Sequence, residues 1–388
     1  MNCTIHLLFF LIFLLIVSFH NVPIEFHVAY SISGYGGIFN AIAAIQEYTC
    51  ITFKYNSTEP IKRRHGLNFY YATTSESETI GMKKKNESQY VVLNWDGLTY
   101  KVTAQSFIHN ALGIYYEMSR MNRDDFITVY NESIRSDFLK YFNKTDAMTS
   151  IYNDSEMEFM DYNYGSINHF GMKDYNKNDN DTFSTRMFNE LYRHMIGQKY
   201  ETSFNDYKVL NRIYCKDKMK ECKKKCENYG YPDPKNCKCR CPNGFVGDRC
   251  QNIEGVEKWH GIVYGTCGPV ELKAELARQH YRIKKQYNCF IRVKSTNPNR
   301  LVLLYNIYYF SYRGTPCVPG WEIEIRYRKD KGAMGLCLCG KNNVPFWMIS
   351  EDTTIFIHFV GIYYWHYLAF YYRQYTNGTN IEEYLVTN

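Results

Sequence analysis

The chain has 388 residues, 45% of them hydrophobic and 22% charged, which is an ordinary balance for a folded protein of two or three domains. Its formal net charge is +7 and it has no dense basic run, so composition and charge give no indication of a nucleic-acid partner. Aromatic residues reach 17%, which favours cores and interfaces rich in ring contacts.

The first twenty residues predict the compartment. Residues 7–17 form an unbroken apolar run, followed by Ser18, Phe19 and His20. This run has the length of a signal-peptide core and is too short to span a bilayer, and no later stretch reaches 18 apolar residues. We therefore expect residues 1–20 to be a signal peptide and the mature chain to be secreted, extracellular and without a membrane span.

The 14 cysteines agree with an oxidising compartment, and their density divides the chain. One cysteine lies between residues 21 and 214, seven lie between 215 and 250, and five lie after 266. The first region must therefore depend on a hydrophobic core, whereas the second is short enough to depend on disulfides. Seven N-x-S/T sequons after residue 20 predict N-glycosylation: Asn56, Asn86, Asn131, Asn143, Asn153, Asn180 and Asn377.

Apolar spacing predicts the first elements. Two sets recur at helical intervals: Ile38, Ala41, Ile42 and Ile45, and then Phe107, Ala111, Leu112 and Tyr115. Between them, residues 91–93 read as a buried strand and Asp96-Gly97 as a turn. Residues 173–182 are rich in Asn, Asp and Lys and predict a loop.

The segment from Cys222 to Cys250 has the spacing C-x3-C-x10-C-x-C-x-C-x8-C. Its last part, residues 239–250, resembles an EGF-like domain, because both the cysteines and the turn glycines fall in place. The resemblance implies the pairs Cys222–Cys237, Cys226–Cys239 and Cys241–Cys250. It shows no acidic ligand set of the calcium-binding type.

Residues 267–375 resemble a CUB domain, a β-sandwich. The resemblance rests on Cys267-Gly268, on Cys289 with the strand-like residues after it, on the alternating residues 321–325, and on Cys339-Gly340. It implies the pairs Cys267–Cys289 and Cys317–Cys339. Gly320 occupies the position of an acidic calcium ligand, so no calcium site is expected there. Cys337 is then either a free or intermolecular thiol, or the partner of Cys317 in place of Cys339.

The chain contains no H-E-x-x-H, and none of its eleven histidines has another histidine four residues away. That spacing places two imidazoles on one face of a helix, which a helical zinc site requires. A protease site of this kind is therefore absent from the sequence.

The surroundings of a zinc helix are nevertheless present. Residues 111–126, with Ser119-Arg120 and Arg123-Asp124, resemble the segment of the astacin family that ends H-E-x-x-H-x-x-G-x-x-H and continues S-R-x-x-R-D. Residues 164–170 resemble its Met-turn, and residues 196–215 its closing stretch. Residues 49–53 resemble its first cysteine segment, which implies Cys50–Cys215. The order of astacin, EGF-like and CUB parts is typical of nematode astacins.

The resemblance assigns the site position by position. The three zinc histidines fall on Ser106, Asn110 and Tyr116, and the catalytic glutamate falls on Phe107. The Met-turn methionine falls on Asn168, and the tyrosine that assists the transition state falls on Phe170. Gly113 alone is retained from the long motif.

These replacements predict the loss of zinc and of catalysis. Catalytic zinc needs three protein ligands and an open position for water, and Ser, Asn and Tyr are neutral oxygen groups that rarely bind it well. Phe107 has no titrating group to act as a base, and Phe170 has no hydroxyl for an oxyanion. We therefore expect no catalytic residue, no metal ligand and no cofactor.

Three retained residues remain to be placed. His109 lies about 100° around the helix from the second ligand position, and His169 matches a non-ligand histidine of the family. Both are expected to be ordinary packed or hydrogen-bonded histidines. Glu117 matches the acidic residue that receives the mature N-terminus in the family, and its partner in this chain is open.

Together these observations predict an α+β metzincin-like (astacin) domain, then a disulfide-rich EGF-like module and an all-β CUB sandwich. The expected bounds are 1–20 for the signal peptide, 21–215, 216–251 and 267–375 for the three domains, and 376–388 for a tail. The favoured function is that of a pseudoprotease that binds an extracellular protein or peptide. The alternatives are an active zinc endopeptidase with a non-standard metal site, and an EGF/CUB adhesion or matrix-interaction protein.

Overall fold

The computed structural model describes residues 23–29, 34–77, 79–81, 87–153, 160–254, 267–284, 288–311, 316–342 and 344–376. The predicted signal peptide, the sequons Asn86 and Asn377 and nearly all of the predicted tail lie outside these residues. Within the described residues, no helix has both the length and the apolar character needed to cross a membrane.

A five-stranded sheet forms the upper part of the N-terminal region. Its strands are β1 (Ile24–Val28), β2 (Phe53–Tyr55), β3 (Gly66–Tyr71), β4 (Glu76–Ser77) and β5 (Gln89–Leu93). The order is β2-β1-β3-β5-β4; the neighbours β1–β2, β1–β3 and β3–β5 are parallel, and β4 is antiparallel to β5 at the edge.

Three helices follow the chain across this sheet: α1 (Gly36–Tyr48), α2 (Trp95–Thr99) and α3 (Lys101–Ala111). The apolar residues predicted for the first helix are buried along α1, and they share a core with the sheet and with α3. This upper core fixes α3, which carries three of the positions inferred for the site.

The lower part of the N-terminal region has little regular structure. It contains short 3-10 helices at Glu117–Ser119, Arg123–Asp125, Asn131–Ser133 and Ser136–Phe142, the pair β6 (Ile127–Val129) and β7 (Phe183–Thr185), and helices α4 (Thr149–Tyr152), α5 (Asn189–Tyr192), α6 (Phe204–Tyr214) and α7 (Lys216–Glu221). Helix α6 begins with a capping box in which Ser203 and Asp206 satisfy each other's backbone amides. Residues 173–182 form the predicted loop.

Disulfides hold the next segment. Strands β8 (Tyr231–Pro232) and β9 (Cys239–Arg240) form one small pair, and β10 (Phe245–Val246) and β11 (Asn252–Ile253) form another. The described cysteines form the six expected disulfides: Cys50–Cys215, Cys222–Cys237, Cys226–Cys239, Cys241–Cys250, Cys267–Cys289 and Cys317–Cys339. Cys337 is free and buried, so the partner of Cys317 is Cys339 and not Cys337.

Two sheets make up the C-terminal sandwich, residues 267–376. The strands are β12 (Glu271–Ala274), β13 (Gln279–Lys284), β14 (Asn288–Ser295), β15 (Val302–Phe310), β16 (Ile323–Arg326), β17 (Leu336–Leu338), β18 (Phe346–Ile349), β19 (Thr354–Val360) and β20 (Tyr367–Gln374). One sheet has the order β12-β14-β19-β16-β17 and the other β13-β20-β15-β18. Buried side chains of both sheets form one core.

That core continues into the lower part of the N-terminal region, where it includes Tyr116 and Phe170. Polar contacts also join the sandwich to the N-terminal region. Arg328 of the sandwich forms an ion pair with Asp161 at 3.5 Å, and Asp330 accepts hydrogen bonds from Asn205 and from the Asp161 amide. The sandwich is therefore packed against the N-terminal region through a buried interface.

Two local predictions were wrong. Asp96-Gly97 lies in α2 rather than in a turn, because the Asn94 side chain accepts from the Gly97 amide and caps a helix there. Helix α3 ends at Ala111, so Tyr115 packs against the upper core from beyond the helix.

The strand inferred from the alternating residues 321–325 is present as β16, which begins at Ile323, while Trp321 before it is exposed. Glu322 and Glu324 are both buried, and Glu324 is held inside by a bidentate pair with Arg326.

Candidate functional site

Helix α3 presents the first two inferred zinc positions on one face. Ser106 and Asn110 are four residues apart and are 4% and 0% exposed. Phe107, the inferred position of the catalytic glutamate, is half-buried and packs against the upper core. After the helix, Gly113 turns the chain with a φ of +93°, a left-handed conformation that strains other residues. The retained glycine therefore keeps its structural role.

Asn110 is engaged by the facing turn, residues 164–170. The Asn168 Nδ2 group donates to Asn110 Oδ1 over 2.6 Å, and both side chains are at least 98% buried. The remaining amide atoms, Asn110 Nδ2 and Asn168 Oδ1, have no partner among the described residues. The oxygen that could have been offered to a metal is thus used by an amide donor.

The third inferred ligand lies in an aromatic cluster. The Tyr116 ring is 4.4 Å from the Phe170 ring, centroid to centroid, and 5.6 Å from the Tyr141 ring. Phe170 also contacts Phe142 and Tyr175 at 5.3 and 4.9 Å. The position of the third histidine and that of the assisting tyrosine therefore meet through a tilted contact of two aromatic rings.

A buried carboxylate positions the facing turn. Asp206 accepts from Ser166 Oγ at 2.6 Å and from the Ile167 amide at 3.2 Å, in addition to capping α6. Burial raises the pKa of Asp206, and the hydrogen bonds from Ser166 and Ser203 oppose that rise. These contacts fix the backbone that delivers Asn168 and Phe170 to the site.

Both histidines near the site are packed as expected. The Nδ1–H of His169 donates to the Phe170 carbonyl at 2.8 Å, so its Nε2 accepts from the Tyr162 hydroxyl at 2.7 Å. Burial lowers the pKa of His169 to about 4 and that of His109 to about 3. His109 is fully buried, with its Nε2 3.4 Å from Gln105 Nε2. Both rings are therefore neutral at neutral pH.

Lys199 is a site neighbour that the sequence did not indicate. Its ammonium group donates to the carbonyls of Ile167 and His169, on either side of Asn168. Burial lowers its pKa to about 8, against the raising effect of Asp174 and Asp206. The adjacent residues 196–198 belong to the resemblance, but nothing in their pattern marks the lysine.

The Glu117 carboxylate is bound by other residues of the same chain. Its carboxylate accepts from Arg120 Nη1 at 2.9 Å and from the Asn163 amide at 2.8 Å. The Arg120 guanidinium also lies 4.0 Å from the centre of the Tyr152 ring. Burial raises the pKa of Glu117, and the neighbouring guanidinium opposes that rise. The acidic residue that was left without an assigned partner is thus paired within the chain.

Two cavities adjoin this pair. The larger, about 40 Å³, is lined by Tyr115, Tyr116 and Tyr152 together with Arg120 and Asn153. The smaller, about 10 Å³, is lined by Glu117 and Asp161 and shares Arg120 and Tyr152 with the larger. Arg120 and Tyr152 therefore border both recesses.

The side chains at the inferred metal positions do not fit zinc. They offer one hydroxyl, one amide whose oxygen is already hydrogen-bonded, and one phenol whose ring packs against that of Phe170. Across the described parts of the chain, no three His, Cys, Asp or Glu side chains come close enough to share a metal ion. Structural and catalytic zinc sites use these residue types.

A helix below a mixed sheet, a glycine turn after it and a separate turn facing its buried side are the arrangement of the metzincin class of metalloprotease folds. The particular family follows from residues 18–215, about half of the chain, which match the peptidase family described as Astacin. The chain belongs to the astacin family.

The chain is similar to zinc metalloproteinases of nematodes. It is 28% identical over 353 residues to the zinc metalloproteinase nas-34 of Caenorhabditis elegans, covering 89% of this chain and 54% of that protein. It is 35% identical over 180 residues to the zinc metalloproteinase dpy-31 of Haemonchus contortus, covering 46% of this chain and 31% of that protein. The chain thus spans about half of the first relative and a third of the second.

Two solved structures are also similar. The high choriolytic enzyme 1, a hatching enzyme zinc-protease from Oryzias latipes, is 24% identical with a TM-score of 0.42 and covers 50% of this chain and 90% of that one. The CUB1-EGF-CUB2 domain of human MASP-1/3 is 17% identical with a TM-score of 0.22 and covers 40% of this chain and 57% of that one.

Proposed function

We propose that this protein is a secreted, glycosylated astacin homologue that binds an extracellular protein or peptide and does not cleave it. In this proposal the cysteine-rich segment is an EGF-like module and the sandwich is a CUB domain. The hydrogen bond between Asn168 Nδ2 and Asn110 Oδ1 carries the proposal, because it uses the one amide oxygen available at the second ligand position.

The remaining chemistry supports the same conclusion. A peptidase of this class needs a base near a metal-bound water, and the corresponding Phe107 cannot accept a proton at any pH. Neither nearby histidine can serve as a zinc ligand in place of the missing ones. His169 is hydrogen-bonded through both ring nitrogens, and His109 is fully buried. Lys199 adds a positive charge beside the turn, where a zinc ion would be repelled.

The larger cavity is the proposed contact point for the partner. Three tyrosine rings, including that of Tyr116, line it together with polar and apolar side chains, and Asn153 is one of the lining residues. Asn153 begins a sequon and its side chain is exposed, as are those of Asn131, Asn143 and Asn180, whereas Asn56 is half-buried. A glycan on Asn153 would stand at this cavity and restrict which partners reach it.

The experiment that tests the proposal is metal analysis of protein purified without a chelator, together with a peptide-cleavage assay. The wild-type chain is expected to contain no stoichiometric zinc and to release no product. A matched variant, Ser106→His, Phe107→Glu, Asn110→His and Tyr116→His, restores the ligands and is expected to gain zinc. Cleavage by the wild-type chain that stops on adding a chelator would overturn the proposal.

The two other candidate functions have separate outcomes. An active endopeptidase, which the printed names of the relatives suggest, predicts zinc and cleavage in the wild-type protein. An adhesion role of the EGF-like and CUB parts predicts binding to matrix that survives substitution of Tyr116 and Tyr152 in the cavity. Loss of binding in those cavity variants supports the pseudoprotease.

A further inference from the structure

One face of the sandwich is free while the other is covered. On the five-stranded sheet, Phe290 and Phe356 pack against Phe245 of the cysteine-rich segment, and Arg326 donates to the Asn243 carbonyl. The outer face of β13 and β20 in the four-stranded sheet has no such cover among the described residues. Side chains that point outward there are available to a partner.

Cations line this free face. Outward positions of β13 alternate with buried ones, and Arg278 precedes the strand. The Arg278 guanidinium lies 3.7 Å from the centre of the Tyr371 ring, the His280 ring is 4.9 Å from the same ring, and the Arg282 guanidinium is 5.9 Å from the Tyr367 ring. We call the exposed basic side chains of this face the basic strip: Arg278, His280, Arg282 and Lys284.

The basic strip has no carboxylate partner within the described part of the chain. The ion pairs of the sandwich lie elsewhere: Arg292–Glu271, Arg326–Glu324, Arg328–Asp161, Arg328–Glu351 and Lys331–Asp352. Tyrosine rings, rather than acids, support the arginines. A row of unneutralised cations on a polar surface attracts a polyanion.

The geometry of the strip is linear. Alternate residues of a strand are about 7 Å apart, so the strip from Arg278 to Lys284 extends over about 20 Å. A compact anion would engage one or two of these cations, whereas a chain with anionic groups at intervals engages all of them.

An exposed aromatic loop continues the strip at one end. Residues 361–366 lead directly into β20, whose first residue, Tyr367, pairs with Lys284. In this loop the rings of Tyr363 and Trp365 stack at 4.6 Å with an angle of 5°, and Tyr364 is 74% exposed. Flat aromatic surfaces of this kind pack well against the apolar face of a sugar ring.

We propose that the basic strip and this aromatic loop form a binding surface for a linear sulfated polysaccharide. The cations take the sulfate groups and the aromatic loop takes a sugar ring. The six disulfides indicate an oxidising compartment, where such polymers occur and nucleic acids do not. A membrane would meet the aromatic tip but leave most of the strip, about 20 Å long, unused, so a polymer fits the surface better.

The test is binding of the full chain to heparin, with a charge-matched control. Arg278→Gln, Arg282→Gln and Lys284→Gln together are expected to weaken binding by about tenfold or more, because three counterion-releasing contacts are lost. The control triple variant, Lys54→Gln, Lys62→Gln and Lys218→Gln, removes the same charge from exposed positions outside the sandwich and is expected to bind as the wild type does.

Further probes separate the possible occupants. Desulfated heparin is expected to bind more weakly than heparin. The double variant Tyr363→Ser with Trp365→Ser is expected to bind heparin more weakly than the wild type does at raised salt, where the charge contacts are screened. Equal losses in the two triple variants would overturn the proposal, as would equal binding of desulfated heparin. Tighter binding to phosphatidylserine vesicles or to DNA than to heparin would overturn it too. None of these outcomes depends on whether the protein holds zinc.

Discussion

Asn168 and Asn110, 58 residues apart in the chain, are joined by a 2.6 Å hydrogen bond between their buried side-chain amides. They occupy the positions that the family resemblance assigns to the Met-turn methionine and to the second zinc histidine. Two replacements that look independent in the sequence therefore form one contact. The pair joins the helix and the turn directly, from side chain to side chain.

This pair predicts a coupling in stability. Asn168→Met removes the donor and leaves the buried Asn110 oxygen unpaired, so the free energy of unfolding is expected to fall by about 1–3 kcal/mol. Asn110→Leu is expected to have a similar effect. The double variant makes both positions apolar and should lose less than the sum of the two single variants. Urea unfolding of all four proteins measures the coupling, and strictly additive losses would show that the contact has no energetic role.

The buried histidines predict a pH dependence. His109 and His169 have folded-state pKa values of about 3 and about 4, below the unfolded value of about 6.5. The unfolded chain therefore binds more protons as the pH falls, and stability that is present above about pH 6.5 is lost toward pH 4. Between pH 7 and 5, each histidine is expected to contribute a loss of up to about 2 kcal/mol.

Denaturant midpoints at several pH values measure this effect. His109→Leu keeps the site apolar and is expected to flatten the dependence of unfolding free energy on pH between pH 7 and 5. The control is His194→Gln, at an exposed position. An unchanged slope in His109→Leu would show that this histidine is not held neutral by the fold.

The boundary between the sandwich and the N-terminal region predicts unequal effects of two arginines. Arg328 is buried between Asp161 and Glu351, whereas Arg292 pairs with Glu271 at an exposed position. Arg328→Met leaves buried Asp161 without its cation and is expected to cost about 3–5 kcal/mol. Arg292→Met is expected to cost less than about 1 kcal/mol. Thermal and urea unfolding compare them, and equal losses would argue against a buried, stability-determining interface.

The buried position of Cys337 predicts that its thiol is unreactive in the folded protein. It is 1% exposed and burial raises its pKa, so the native protein is expected to react very slowly with a thiol reagent. In denaturant without reductant, one thiol should become reactive in the mature chain. Cys337→Ala should abolish that signal and leave all six disulfides in place. Recovery of a Cys317–Cys337 peptide in a non-reducing digest would contradict the pairing described here.

Local sequence patterns predicted secondary structure correctly where the interactions that form the element are themselves local. The apolar residues from Ile38 to Ile45 recur at helical spacing and lie on α1. The prediction failed at Asp96-Gly97, because a cap from Asn94 outweighs the turn preference of the dipeptide. It failed again at Tyr115, because helix α3 ends at Ala111, before the chain turns at Gly113.

The sequence by itself determined the identity of the side chains at the inferred metal positions, and it was enough to exclude an H-E-x-x-H motif anywhere in the chain. Side-chain chemistry is a property of each residue, so no structure is needed to know that Phe107 cannot be a base. Tertiary structure alone decided that Asn110 meets Asn168 and that Glu117 meets Arg120. It alone also decided that the arginines of the basic strip lie against tyrosine rings. Such contacts depend on how distant segments pack in space, and that packing leaves no periodic trace along the chain.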